Sequence, residues 1–291
     1  MSDTIDERTA WNLVRAVSPG LAGKASATRV HHDPNLAVWL QVEPSGQWAS
    51  SGEVTEAARD LFDLYVPLQL SPDLVVGQIG QSLDGRIATE VGHSHYVTGP
   101  ADIRRLHRLR ALVDAVVVGA GTVAADNPRL TVRDVEGENP VRVVLDPHGR
   151  LSPDRAVFCD GAARTLVIRL AVEARGAPQS EPFNGDLLEL PVDDPDQHDG
   201  GGGGFAPAMV LEALRARGLR RILVEGGGVT VSRFLQAGAL TRLHVTVSPM
   251  LIGSGRHALT LPPIASLDQA LRPPCRQFRL GDDVLFDLDL R

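Results

Sequence analysis

The sequence predicts an α/β fold in three layers: a mixed, mostly parallel sheet flanked by helices, with an antiparallel hairpin at its C-terminal edge. Three observations predict it. From Asp73 onward, short β-branched runs alternate with helix-patterned stretches. The runs are apolar almost throughout, which fits strands buried on both faces, as in a parallel sheet covered by helices. The closing segment FRLGDDVLFDLDL instead alternates apolar and polar residues around Gly281-Asp282-Asp283, the pattern of a hairpin.

In chain order, residues 1–72 stand apart as an N-terminal extension. They hold all three tryptophans, Trp11, Trp39 and Trp48, between helix-like stretches near Glu7 to Val17 and Thr55 to Tyr65. Residues 73–291 then read as LVVGQIG (strand), IRRLHRLRALV (helix), AVVVGAG, VRVVLD and TLVIRL (strands) and MVLEALRARG (helix). RILVEGG (strand), VSRFLQAG (helix) and LHVTVSPMLIG (strand) follow before the hairpin. The acidic VDDPDQHD and the run Gly200 to Gly204 offer nothing apolar to bury, so a mobile surface loop is expected there, with a phosphate cradle as the alternative.

Composition narrows the function. With 43% hydrophobic and 22% charged residues the 291-residue chain is of globular type, which excludes disorder. Its net charge of -7 provides no global field for a polyanion, so no nucleic-acid partner is expected. Cys159 and Cys275 make neither a disulfide framework nor a zinc knuckle, which fits a reducing compartment. The N-terminus MSDTIDERTA is acidic where a signal peptide is basic, and the small-apolar stretch Ala115 to Ala125 is too short to cross a bilayer. A cytoplasmic protein without membrane contact is expected.

Two glycine turns carry the chemistry. AVVVGAGTVA places Gly119, Gly121 and Ala124 in a dinucleotide-like spacing, but Asn127-Pro128 interrupts the helix that such a site needs. A compact loop from Gly119 to Arg133 remains, with Thr122, Asp126 and Arg133 as its polar groups. The second turn follows RILVE and reads Gly226-Gly227-Gly228-Val229-Thr230, then about two helical turns up to Gly238. Free amides at a helix start favour a phosphate by on the order of 1 kcal/mol beyond their hydrogen bonds. Glu225, at the preceding strand end, is expected to face that site. His93 with His95, and His31 with His32, lack a third ligand at diagnostic spacing, so no metal is expected. No nucleophile elbow and no phosphate-loop lysine occurs. Ser94, Arg110 and Arg133 are the small polar and arginine groups suited to a phosphate monoester.

Taken in order, Ser82-Leu83-Asp84-Gly85-Arg86-Ile87-Ala88, Tyr96-Val97-Thr98-Gly99, His107-Arg108-Leu109-Arg110-Ala111, Val118 to Val123 with Asp126-Asn127-Pro128, Leu130 to Arg133, and Val224-Glu225-Gly226-Gly227 form a recognisable series. It resembles the C-terminal reductase domain of the bifunctional riboflavin-biosynthesis deaminase/reductase, over Asp73 to the C-terminus. The resemblance implies a dihydrofolate-reductase-like fold, a homodimer, and NADPH-dependent reduction of 5-amino-6-(5-phosphoribosylamino)uracil to its ribitylamino product. It places cofactor contacts on Gln81, Tyr96, Thr122, Asp126, the turn from Gly226 through Thr230 to Arg233, and near Pro147. It places substrate contacts on Ser94, Arg110, Leu130, Arg133 and Glu225, with Arg110 and Arg133 clamping the phosphate. Glu225 and Asp126 are the candidate catalytic groups, because a carboxyl enclosed beside a ligand can hold a proton near neutrality. Arg150 is a candidate for a cofactor 2′-phosphate.

The chain departs from the family at Gln78, where bacterial members commonly have lysine, and at Tyr96, where they have tryptophan. A reductase of another heterocycle, such as a dihydropterin, and a non-catalytic nucleotide-binding paralogue are the alternatives. Residues 1–72 contain no Cys, and HHDPN lacks the glutamate of the zinc-deaminase signature, so a stand-alone reductase without deaminase activity is expected.

Overall fold

The computed structural model describes residues 4–24, 26–31, 33, 37–94, 97–171, 183–191 and 204–291. The chain forms two compact units, Met1–Leu74 and Val75–Arg291.

In the first unit two helices, α1 (Glu7–Ala16) and α2 (Glu56–Gln69), begin at side-chain caps. Asp6 accepts from the Thr9 amide and Thr55 from the Ala58 amide, each satisfying an amide that has no intrahelical acceptor. Between the helices runs a small antiparallel sheet in the order β1 (Thr28–Val30), β2 (Leu40–Val42), β3 (Trp48–Ser50). Aromatic rings fill the core: Trp11 meets Tyr65 edge-on at 5.7 Å, and Trp48 meets Phe62 at 4.8 Å while its indole donates to Asp63. Gln69 donates to the carbonyls of Val14 and Val17, closing the C-terminal end of α1.

The second unit contributes β4 (Val75–Ser82), β5 (Arg86–Thr89), α3 (Pro100–Arg110), β6 (Ala115–Gly119), α4 (Ala120–Asp126), β7 (Val141–Leu145), α5 (Ala156–Cys159) and β8 (Thr165–Leu170). It continues with β9 (Asp186–Leu190), α6 (Pro207–Arg215), β10 (Ile222–Val224), α7 (Gly228–Gln236), β11 (Arg242–Ser248), β12 (Gly255–His257), β13 (Cys275–Leu280) and β14 (Asp283–Asp289). Nine strands form one sheet in the order β13-β14-β11-β4-β10-β6-β7-β8-β9. Every pairing from β11 to β9 is parallel, and the two through β14 are antiparallel. The apolar runs are the reason: Ala115 to Val118 and Ile222 to Val224 are completely buried, which requires cover on both sheet faces.

The hairpin turns at Gly281, whose φ of 69° suits a glycine. A separate two-stranded sheet pairs β5 with β12. The acidic stretch at 192–199 and Gly200 to Gly203, where a loop is expected, lie outside the described residues. Among the described residues no helix is long and apolar enough to cross a membrane.

Candidate active site

In a parallel sheet the strand ends that point the same way gather their loops at one rim, where ligands bind. Here the carboxyl ends of β4, β6 and β10 open into a cavity of about 840 Å³, at the upper end of ligand-site sizes. Of the residues expected at a site, Ser94, Arg110, Thr122, Asp126, Leu130, Glu225 and the turn from Gly226 to Thr230 line this one cavity. Gln81 and Arg133 do not line it, nor do Pro147 and Arg150. Tyr96 and His95 lie outside the described residues.

Three polar contacts organise the cavity. Ser94 Oγ donates to Asp126 Oδ1 at 2.7 Å, bringing together the turn after β5 and the end of α4. The Gly227 amide donates to Thr122 Oγ1 at 2.7 Å, which joins the two glycine turns and leaves the Thr122 hydroxyl proton available to a ligand. Arg110 grips Glu225 with both ends of its fork, Nε to Oε1 at 2.8 Å and Nη2 to Oε2 at 2.7 Å, and its Nη1 donates to the Thr131 carbonyl. Burial pulls the Arg110 pKa down, but the charge and hydrogen bonds of Glu225 outweigh it and the net direction is upward.

This pairing bears on two of the expected roles. Arg110, expected as half of a phosphate clamp, is paired with Glu225 at 2.7 Å. Glu225, expected as a catalytic group, has both its oxygens accepting from Arg110. The pair is a rigid anchor in the cavity wall. Arg133, expected as the second half of the clamp, turns its Nη1 to Thr131 Oγ1 at 2.9 Å. Its pKa is lowered by burial and by the nearby Arg110 charge.

The loop after α4 is held in an unusual backbone. Asn127 caps α4 with φ 42°, and Leu130, almost fully buried, has φ 56°, a conformation that costs a branched residue on the order of 1 kcal/mol or more. Surrounding side chains hold it there. Arg110 takes the Thr131 carbonyl, Asn139 accepts from the Val132 amide, and His107 Nδ1 accepts from the Arg133 amide at 3.1 Å. Burial and the Arg110 charge lower the His107 pKa, which keeps the accepting ring neutral.

At the glycine turn, Gly226 has φ 132° and a Cβ there would come within 3.1 Å of Thr122 Oγ1. At Gly119 a Cβ would meet Thr230 Oγ1 at 2.7 Å. Gly228 and Val229 open α7, so their amides have no acceptor within the helix, and both residues line the cavity. A crowded glycine cradle with open amides fits a dinucleotide diphosphate. Sequence reasoning missed Thr98, Asp102, Arg256 and His257, which also line the cavity. Asp102 looks like an ordinary first-turn helix acid, and β12 is too short for a periodic signal.

The sequence model of the RibD C-terminal domain matches residues 74–279, which include every one of these groups. The chain belongs to the RibD C-terminal domain family. As a RibD C-terminal domain it is similar to the 2,5-diamino-6-ribosylamino-4(3H)-pyrimidinone 5′-phosphate reductase of Methanothermobacter thermautotrophicus. The two are 32% identical over 224 residues, 75% of this chain and 98% of that protein. It is also similar to the riboflavin biosynthesis protein RibD of Mycobacterium tuberculosis, at 32% identity over 75% of this chain and 54% of that protein. Among solved structures it resembles a deaminase/5-amino-6-(5-phosphoribosylamino)uracil reductase from Thermotoga maritima. The TM-score is 0.60 and the identity 27%, covering 82% of this chain and 64% of that one.

Proposed function

We propose that the chain is an NADPH-dependent reductase that converts the ribosyl group of 5-amino-6-(5-phosphoribosylamino)uracil to a ribityl chain. The observation that carries the reading is the convergence of both glycine turns with Ser94, Asp126 and the Arg110–Glu225 pair on one cavity. The amides of Gly228 and Val229 and the Thr122 hydroxyl hold the diphosphate. When bound, the nicotinamide supplies the hydride. Glu225, fixed by Arg110, anchors the polar edge of the substrate, and Leu130 packs against it. Asp126 accepts from Ser94 through Oδ1 and keeps Oδ2 for the ligand, so it is the remaining candidate to hold or move a proton at the opened sugar. Ile79, Val97 and Leu106 exclude water from the same space. Holding donor and acceptor about 3–3.5 Å apart is then the main source of rate acceleration.

The Methanothermobacter relative, nearly all of whose length this chain covers, favours a second substrate that differs at pyrimidine C2, an amino group in place of the oxygen. Anaerobic oxidation of NADPH, followed with each of the two pyrimidines and with dihydrofolate, separates the readings. Turnover of a phosphoribosylaminopyrimidine with no response to dihydrofolate is expected. Turnover of dihydrofolate alone, or of nothing, overturns the proposal. The reading also takes the enzyme to be a cytoplasmic homodimer, and a molar mass of twice 31.1 kDa by light scattering in solution is the expected result.

A further inference from the structure

We propose that Arg256 is the phosphate-recognising cation of the cavity, taking a phosphate monoester, either the 5′-phosphate of the substrate or the 2′-phosphate of the dinucleotide. The inference rests on the reductase reading above and names a residue that reading did not contain.

Charge comes first. Among the described residues, Arg110, Arg256 and His257 are the basic side chains that line the cavity, against Asp102, Asp126 and Glu225. Arg110 is neutralised by Glu225. His257 presents a ring nitrogen 2.6 Å from Arg86 Nη1, and because a guanidinium only donates, that nitrogen accepts. Arg133 and Arg150 are not part of the lining. Arg256 is exposed and, among the described residues, is the lining cation with no acidic or hydrogen-bonding partner. A dianionic phosphate entering a cavity of this balance needs a cation, and the planar fork of arginine matches it.

Geometry then shows how the residue is aimed. In a regular strand, neighbours point to opposite faces. Arg256 and His257 are neighbours on β12, yet both line the cavity, because the pairing with β5 slips register between them. Such bulges re-aim side chains beside active sites. The base of the strand is fixed from the other side: Asp84 accepts from the amides of Ile252 and Gly253 at 3.1 and 2.7 Å, and Arg86 Nε donates to the Gly253 carbonyl. The guanidinium lies over the turn at Gly92, where a Cβ would come within 3.1 Å of Nη2, two residues from Ser94. One residue further along β12, the His257 carbonyl lies against Gly228 at the head of α7. Arg256 therefore stands between the substrate end and the cofactor end, within the same arm.

The test uses Arg256→Ala and Arg256→Lys with two probes that need no turnover, ribose 5-phosphate and adenosine 2′,5′-bisphosphate, titrated calorimetrically. Loss of a charge-assisted contact predicts binding weakened about tenfold to a hundredfold for one probe in the alanine variant, with partial recovery in the lysine variant. Weakening of ribose 5-phosphate assigns the substrate phosphate. Weakening of the bisphosphate assigns the cofactor phosphate, and the NADPH-over-NADH preference of the variant then falls with it. If both probes bind the alanine variant as tightly as the unaltered chain, or if the unaltered chain binds neither, the proposal is overturned. Turnover of the unaltered chain is read separately, so a protein that binds through Arg256 but does not oxidise NADPH rejects the reductase reading alone.

Discussion

Arg110 and Glu225 are 115 residues apart in sequence, and both are buried. Removing one member of a buried ion pair strands the other charge, at about 3–5 kcal/mol, whereas replacing both is often mild. Arg110→Ala is therefore expected to lower the unfolding free energy by about that amount, while Arg110→Met with Glu225→Leu together lose less. Urea denaturation of the single and double variants checks it. A double variant as unstable as the sum of its parts would mean that the pair is not coupled. Both residues were legible from the sequence as polar groups at strand-end loops. Their pairing was not, because nothing local records which distant charge a guanidinium meets. That is why Arg110 reads as a phosphate clamp until the fold brings Glu225 beneath it.

Among the elements, the head of α7 meets the end of β12 at Gly228. A Cβ on Gly228 would fall on the Ala258 carbonyl oxygen and within 2.7 Å of the His257 carbonyl oxygen, and neither backbone group can rotate away as a flexible side-chain tip can. Gly228→Ala is expected to push β12 off the head of α7, lowering the melting temperature and weakening dinucleotide binding together. Gly121 is the contrast: inside α4, no atom lies within 4 Å of its Cβ position, so Gly121→Ala should leave stability unchanged or raise it by up to about 1 kcal/mol. Thermal melts of the two variants side by side decide the matter, and equal losses would count against this account of the glycine turn. The central strands were legible because four or five consecutive apolar residues leave little alternative to burial on both faces. Strands β1, β2, β3 and β12, each of three residues, carry no such period and emerge only from pairing. The hairpin was legible because one face of β14 alternates against solvent.

At the scale of the whole second unit, a buried array of charges ties α3 in the cavity wall to the antiparallel edge of the sheet. Asp102 Oδ1 accepts from Arg105 Nε at 2.6 Å and from Thr246 Oγ1 at 2.8 Å. Arg105 Nη1 lies 3.2 Å from His244 Nδ1, and His244 Nε2 lies 3.2 Å from Asp287 Oδ1. Asp287 also takes Arg242 and Arg276, and Asp289 takes Arg242 and Arg291. Since Arg105 only donates, His244 Nδ1 accepts, so the neutral ring carries its proton on Nε2, facing Asp287. Burial is the largest influence on His244 and holds its pKa below the usual value, with Arg105 and Arg242 adding to the fall and Asp287 opposing it. The His107 pKa is lowered as well, again chiefly by burial. For Asp102 and Asp287 burial pushes upward, but the facing cations and hydrogen bonds prevail and both carboxyls titrate below their ordinary range. The sign is the same for all four groups. Below about pH 6.5 the unfolded chain takes up protons on these histidines that the folded unit does not bind, and below about pH 4 it does so on the aspartates. Stability is therefore fullest above pH 7 and falls on acidification, first through the histidine window, with a slope of at most about 1.4 kcal/mol per pH unit for each proton. Urea titrations followed by circular dichroism at pH 7.5 and 5.5 measure that slope for the sheet. Tryptophan fluorescence serves as the internal reference, because all three tryptophans lie in residues 1–74. His244→Asn should flatten the dependence of the sheet by up to one proton while leaving the fluorescence transition's own dependence in place. A sheet that is equally stable at both pH values, or steadier at the lower one, would count against the two histidines staying neutral in the folded unit.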